Sequence, residues 1–262
     1  MNETLRRIIP KAIRQPIKDL EARMLFDPKL KQTTPVFIYQ MGKVGSTSIY
    51  RSLLNGQYNG AVLHGHQFYK NHYDAQVRRL YDWAILQSQP VNIISLTREP
   101  IGRNISGFFQ NFKKVTGVPY AKSNFSIDDL NELFLSNYWH EHPLTWFDKN
   151  ILANFGINVF DAPFPQDGIA TYSRDHVNLL VMHSEISDDR KVKAIADFLD
   201  LKEFRLNNVN IGREKDYSST YKEFTEEVKL PSDYIEKMCE SKYFNHFYDE
   251  KVIKAVRKRW SQ

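Results

Sequence analysis

Val36-Phe37-Ile38-Tyr39-Gln40-Met41-Gly42-Lys43-Val44-Gly45-Ser46-Thr47-Ser48-Ile49-Tyr50 is the stretch whose reading decides the fold. Val36 to Tyr39 is an apolar, β-prone run. Two glycines and a lysine follow, then Ser-Thr-Ser, then Ile49, Tyr50, Leu53 and Leu54 at helical spacing. The order is strand, tight loop, helix. Backbone N–H groups converge in such a loop, and the helix N-terminus adds partial positive charge, so the site favours a phosphate. Gly42 and Gly45 allow backbone angles and close approach that a Cβ would forbid. Lys43 adds a mobile cation, and Ser46, Thr47 and Ser48 add hydroxyl donors. The loop is not a Walker A loop, G-x-x-x-x-G-K-[ST]. Lys43 precedes the second glycine, and no Gly-Lys-Ser/Thr tripeptide follows.

Outward from this loop the chain alternates. Ala61-Val62-Leu63-His64 reads as a second strand, Tyr73 to Gln87 as a helix, and Val91 to Thr97 as a third strand whose apolar density suits burial on both faces. Pro100 suits the first turn of the next helix, which continues through Ile105, Phe108 and Phe109. Three strand–helix units in about eighty residues are the signature of an α/β fold with a central parallel sheet flanked by helices. Ser126 and Asp129 mark a helix start. Tyr138 to Pro143 reads as a break, and a helix over Leu144–Asn154 stops at Gly156. Ile157-Asn158-Val159-Phe160 and Asn178 to Met182 are expected strands, and Ser187 to Leu199 an amphipathic helix. The remaining part is expected to be helical, with turns at Gly212, Pro231-Ser232-Asp233 and Asn245. The division expected is a basic N-terminal extension over 1–34 and one domain over 35–262.

Composition narrows the function classes. Of 262 residues, 42% are hydrophobic and 26% charged, as in ordinary globular proteins. The net charge of +5 suits a phosphorylated cosubstrate or an acidic acceptor, and is too weak to argue for nucleic acid. Cys239 is the single cysteine, which excludes an internal disulfide framework. No apolar run of about 18 residues is present, so no transmembrane segment is expected. Met1 to Leu20 lacks the apolar core of a signal peptide. Residues 1–31 carry eight Lys or Arg against four Asp or Glu. Weak contact of this segment with a membrane surface is one reading, and a packed or frayed extension the other, since Pro10 and Pro16 interrupt its helical pattern.

A second segment belongs with the loop. Arg98 stands at the carboxyl end of the third strand, where α/β folds place ligands, and Ser106 follows eight positions later, two turns into the next helix. A guanidinium makes forked, charge-assisted bonds to phosphate, and a hydroxyl completes the cage. Arg103 is a further cation on this helix, with a solvated or ion-paired surface role as the alternative.

Residues Pro35 to about Phe112 resemble the sulfotransferases that use PAPS (3′-phosphoadenosine-5′-phosphosulfate). Gly-Lys-Val-Gly-Ser-Thr-Ser is similar to their 5′-phosphosulfate loop, and Arg98 with Ser106 to their 3′-phosphate segment. Asn210-Ile211-Gly212-Arg213-Glu214-Lys215 resembles the Gly-x-x-Lys loop that closes over the cosubstrate in some carbohydrate sulfotransferases, which implies roles for Gly212 and Lys215. The aromatic tail, Tyr243 to Tyr248 and Trp260, is similar to those of bacterial sulfotransferases associated with capsular polysaccharide, although core packing accounts for its aromatics. The resemblance implies the P-loop-like sulfotransferase fold with a helical C-terminal part. It implies PAPS as cosubstrate, adenosine 3′,5′-bisphosphate as product and no metal. Gly42, Lys43, Val44, Gly45, Ser46, Thr47, Ser48, Arg98, Ser106, Gly212 and Lys215 would bind the nucleotide. Lys43 would also act in catalysis.

His64-Gly65-His66 follows the second strand. In uronyl 2-O-sulfotransferase-like enzymes a histidine here is the base, and a neutral imidazole suits that task near pH 7. His66 is the first choice and His64 the second. No acidic residue lies between Gly42 and Asp74 to serve instead. His140-Glu141-His142 lacks the spacing of a zinc helix. Part of Tyr138–Trp146 is expected to line the cleft for a hydroxylated saccharide, Trp139 above all, because aromatic faces stack on sugar rings, while Trp146 and Phe147 sit on an amphipathic helix that suits the core. The expectation is a bacterial, cytoplasmic enzyme transferring sulfuryl to a carbohydrate hydroxyl. The alternatives are a small-molecule or nucleotide kinase on a related fold, and a non-catalytic cofactor-binding module.

Overall fold

The structure, a computed structural model, describes residues 11–120, 124–207 and 217–261. Gly212 and Lys215 lie outside the described residues. Among the described residues five strands, β1 (Val36–Tyr39), β2 (Val62–Gly65), β3 (Val91–Thr97), β4 (Ile169–Arg174) and β5 (Val177–His183), form one sheet in the order β2-β1-β3-β5-β4. The first four in that order run parallel, with Val36 beside Val62 and Asn92, and Val91 beside Val177. β4 is an antiparallel edge on β5. The fold is mixed α/β, with helices around a five-stranded sheet, as the alternation predicts.

The helices are α1 (Lys11–Leu25), α2 (Asp27–Gln32), α3 (Thr47–Ser52), α4 (Ala75–Tyr81), α5 (Pro100–Gln110), α6 (Phe112–Thr116), α7 (Ile127–Asn137), α8 (His142–Phe147), α9 (Asp188–Leu199), α10 (Ser218–Glu227), α11 (Ser232–Cys239), α12 (Lys242–Phe247) and α13 (Glu250–Trp260). α8 runs on through a wider turn, Asp148–Leu152, to Gly156, whose φ of 67° ends it. Ser126 and Asp129 form the expected capping box of α7. Among the described residues no helix is long and apolar enough to cross a membrane.

Four local expectations need correction. Ile157-Asn158-Val159-Phe160 is a turn rather than a strand. The Asn158 side chain accepts from the Phe160 N–H at 3.2 Å and donates to Asp161, so local bonds displace the ladder. Asn245 sits inside α12, not in a turn, because its amide donates back to the Cys239 and Ser241 carbonyls at 2.7 and 3.0 Å. Pro231 ends the preceding chain and Ser232-Asp233 begin α11. α1 continues through Pro16 at the cost of a backbone bond. Packing compensates: Ala22, Phe26 and Leu30 are buried, and Asp19 and Asp27 pair with Arg78 and Arg79 on α4.

Packing ties the sheet to the site. Phe37 and Tyr39, two residues apart and therefore on one face of β1, stack at 4.7 Å. Tyr39 meets Trp146 of α8 at 4.9 Å, and both rings are almost wholly buried. Each such ring contributes roughly 1.5–3 kcal/mol of burial, which seats α8 beside the end of β1. On α5, Gly107 leaves room for Tyr138: a Cβ there would lie 1.9 Å from its hydroxyl oxygen. Tyr138 is buried against Phe108 and Phe134 and cannot swing clear. Gly107→Ala is therefore expected to lower stability by about 1–3 kcal/mol, read as a fall in the urea midpoint. An unchanged midpoint would contradict this packing.

Candidate active site

The strand order reverses at β1. The chain passes from β1 to β2 on one side and then to β3 on the other, which opens a crevice at the carboxyl ends of β1 and β3. The loop after β1 and Arg98 after β3 meet there. The loop turns sharply, with φ of 81° at Gly42, 65° at Lys43 and 79° at Gly45, so both glycines occupy the left-handed region that favours them. Arg98 Nη1 donates to the Lys43 carbonyl at 3.0 Å. Tyr243 locks the Arg98 backbone, accepting from its N–H at 3.1 Å and donating to its carbonyl at 2.9 Å.

An open cleft of about 1080 Å³ lies over this junction. Its lining includes Gly42, Lys43, Gly45, Ser46, Thr47, Ser48, His64, His66, Arg98 and Ser106. Ten of the residues expected to hold the nucleotide or act as base thus share one cavity. Val44 does not: its side chain is 1% exposed and packs in the core. Trp139, 49% exposed, lines the cleft as expected, while Trp146 is core. A second cavity of about 560 Å³ adjoins, sharing Tyr138, Trp139 and His142 with the first.

Gln40, which the sequence did not single out, organises the two histidines. Its Oε1 accepts from the Gly42 N–H, which fixes the amide orientation. Its Nε2 then donates to Ser46 Oγ at 2.7 Å and lies 3.1 Å from His64 Nε2. Ser46 Oγ is 2.8 Å from the same nitrogen. His64 Nε2 is therefore the lone-pair nitrogen, and it holds the loop serine. His66 has the opposite arrangement. Its Nδ1 lies 2.9 Å from the Gln40 carbonyl, which can only accept, and 3.3 Å from Gln40 Nε2, which can only donate; the shorter contact, to the carbonyl, puts the proton on Nδ1 and leaves Nε2 its lone pair. The two rings lie 5.3 Å apart, close enough for both to serve the cleft.

Arg103 is buried, and among the described residues it pairs with no carboxylate. At 5% exposure it donates to the Met41 carbonyl at 2.6 Å, the Gly42 carbonyl at 3.3 Å and the Tyr138 hydroxyl at 3.2 Å. It also reaches His142 Nδ1 at 3.1 Å. It braces the loop against the segment before α8. His140 is turned elsewhere, bonding the Phe134 carbonyl at 2.8 Å and Tyr234 at 3.1 Å. His140 and His142 thus have separate partners and do not converge.

Burial, with the neighbouring His66 ring, pushes His64 down to about 4. At His142, whose outer edge is exposed, the cleft wall around the inner edge of the ring, with Arg103 beside it, pushes the imidazole down to about 4 as well. Both are neutral at pH 7. Their folded values lie below the ~6.5 of an unfolded histidine, so their contribution to stability is present above pH ~6.5 and is lost as pH falls towards 4. After allowance for solvent screening, His64 is expected to account for a loss on the order of 1–2 kcal/mol over that window. Melting curves of wild type and His64→Gln check this. The wild type should lose more between pH 7 and 4.5, and parallel losses would contradict it.

A family model described as "Putative capsular polysaccharide synthesis protein" (NKWYS) matches residues 119–249. The chain belongs to the NKWYS family. No curated protein and no solved structure matches it. The NKWYS match agrees with the capsular association implied by the aromatic tail. It also locates the shared part of the family: Tyr138, Trp139, His142 and Tyr243 fall inside the match, and the Gly42–Ser48 loop and Arg98 precede it.

Proposed function

We propose that this NKWYS protein is a PAPS-dependent sulfotransferase that acts on a hydroxyl of a carbohydrate connected with capsular polysaccharide. The observation that carries the reading is the junction of Arg98 with the Lys43 carbonyl at the sheet's switch point, with Ser106 on the same cleft wall. A loop for a 5′-phosphate and a cation for a 3′-phosphate then face one crevice. The sheet order and loop position fit the P-loop-like sulfotransferase fold. The cleft's volume suits a nucleotide together with part of a saccharide.

The residues divide the work. Loop amides of Gly42 to Ser48, with the Ser46, Thr47 and Ser48 hydroxyls, hold the 5′-phosphate. Arg98 and Ser106 hold the 3′-phosphate. In the transfer, an acceptor oxygen bonds to sulfur while the bond from sulfur to the bridging phosphate oxygen breaks, releasing adenosine 3′,5′-bisphosphate. His66 Nε2 takes the hydroxyl proton. Lys43 neutralises charge on the sulfuryl and bridging oxygens. His64 orients Ser46. Trp139, half exposed on the cleft, stacks on a sugar ring with the side of its indole away from Lys114.

Adenosine 3′,5′-bisphosphate is expected to raise the melting temperature more than ADP does at equal concentration. Arg98→Ala should erase the difference, since a charged hydrogen bond is worth about 1.5–3 kcal/mol. Equal shifts in the wild type would sink the role of Arg98.

A further inference from the structure

Two histidines on the cleft are held in opposite tautomers, and only one has a role so far. His66 gives its Nδ1 proton to the Gln40 carbonyl and presents a lone pair at Nε2. At His142 the partner is Arg103, whose Nη2 lies 3.1 Å from Nδ1. A guanidinium has only donors. His142 Nδ1 must therefore accept, and the proton of the neutral ring sits on Nε2. Arg103 cannot trade this role away, because the same Nη2 is tied to the Met41 carbonyl at 2.6 Å.

The ring stands where the two cavities join, lining both. Among the described residues its Nε2 has no hydrogen-bond partner, and the residue is exposed. Trp139, half exposed and with the Lys114 ammonium over its ring at 4.7 Å, lines the same junction. We propose that His142 is an acceptor-binding residue, a donor locked by Arg103 that gives its Nε2–H to a saccharide oxygen and leads the sugar chain from the cleft into the second cavity. This rests on the transferase reading above. It goes further by assigning the acceptor a path through both cavities and a hydrogen bond of fixed direction.

The lock also settles what His142 does not do. The groups that face it are cationic or neutral: Arg103 from α5, His66 after β2, and Lys149 after α8. Glu141, its chain neighbour, is engaged by Lys237 at 2.8 Å. Protonating Nδ1 would set an N–H against the Arg103 N–H groups. His142 stays a neutral donor and does not exchange protons with substrate near neutral pH.

The test has two arms on the full chain. In the first, nitrogen-15 NMR of the histidine rings reports tautomer and titration without any turnover. His142 is expected as the Nε2–H tautomer, unchanged from pH 8 to pH 5. An Nδ1–H tautomer, or an imidazolium forming near pH 6.5, would overturn the proposal. In the second, size-fractionated oligosaccharides from unsulfated capsules serve as acceptors with PAPS. His142→Ala should raise KM for the oligosaccharide about 10-fold while kcat and the melting shift given by adenosine 3′,5′-bisphosphate hold. His142→Gln, which restores an N–H near the same place, should recover part of the loss. Unaltered acceptor kinetics in His142→Ala would overturn the proposal. If the wild type itself transfers no sulfuryl group, the transferase reading fails, while the ring spectra still decide the tautomer lock.

Discussion

His66→Ala is expected to lower kcat by roughly 10²–10⁴-fold, the usual contribution of a general base. The argument rests on which nitrogen is available. His66 Nδ1 is committed to the Gln40 carbonyl at 2.9 Å, and Nε2 keeps its lone pair. His64 Nε2 is already occupied by Ser46 at 2.8 Å. Partial loss of water around its inner edge first, and the Arg103 charge in addition, hold the His66 ring below its ordinary value although its outer edge is exposed, against the opposing pull of the Gln40 carbonyl. Its base form therefore dominates at pH 7. The rate should rise with pH through a value below 6.5 and then level off. His64→Ala should act differently, weakening nucleotide binding through Ser46 with a smaller effect on kcat. Full activity in His66→Ala with loss in His64→Ala would reverse the two roles, and activity in both would move the base elsewhere.

Lys43→Ala is expected to cut turnover by about 10²–10³-fold, as when one donor to a developing anion is removed. Product nucleotide should bind nearly as before, because the charge that Lys43 meets is greatest in the transition state. The substitution is a clean one. Alanine keeps the Cβ, so the backbone strain at φ 65° is common to both proteins. The Lys43 carbonyl, which Arg98 grips, is also retained. Loss of the bisphosphate melting shift in Lys43→Ala, in proportion to activity, would make Lys43 a binding residue only.

The parts of this site that were legible in the sequence are those with local causes. β1 is an uninterrupted apolar run because it is buried on both faces, and the loop announces itself through glycines whose angles require them. Arg98 and Ser106 could be paired by counting two helical turns from a strand end. The parts that were not legible depend on contacts between distant segments. Gln40 looks like any polar residue at a strand end until β2 brings His64 and His66 across from it. Arg103 resembles a surface cation until α5 is laid over the Met41 and Gly42 carbonyls. β4 is half exposed and polar, so its alternation is weak, and the pairing that defines it comes from β5. Val44 belongs to the loop through its backbone, while its side chain packs in the core.

The most direct test of the central claim is to incubate the full chain with PAPS and unsulfated capsular oligosaccharides, without added metal, and to weigh the products by accurate mass. The account predicts sulfated oligosaccharide and adenosine 3′,5′-bisphosphate in equal amounts, with neither formed by Lys43→Ala at a comparable rate. A phosphorylated saccharide made only with ATP and Mg²⁺, or no transfer from PAPS by a chain that binds adenosine 3′,5′-bisphosphate no better than ADP, would contradict it.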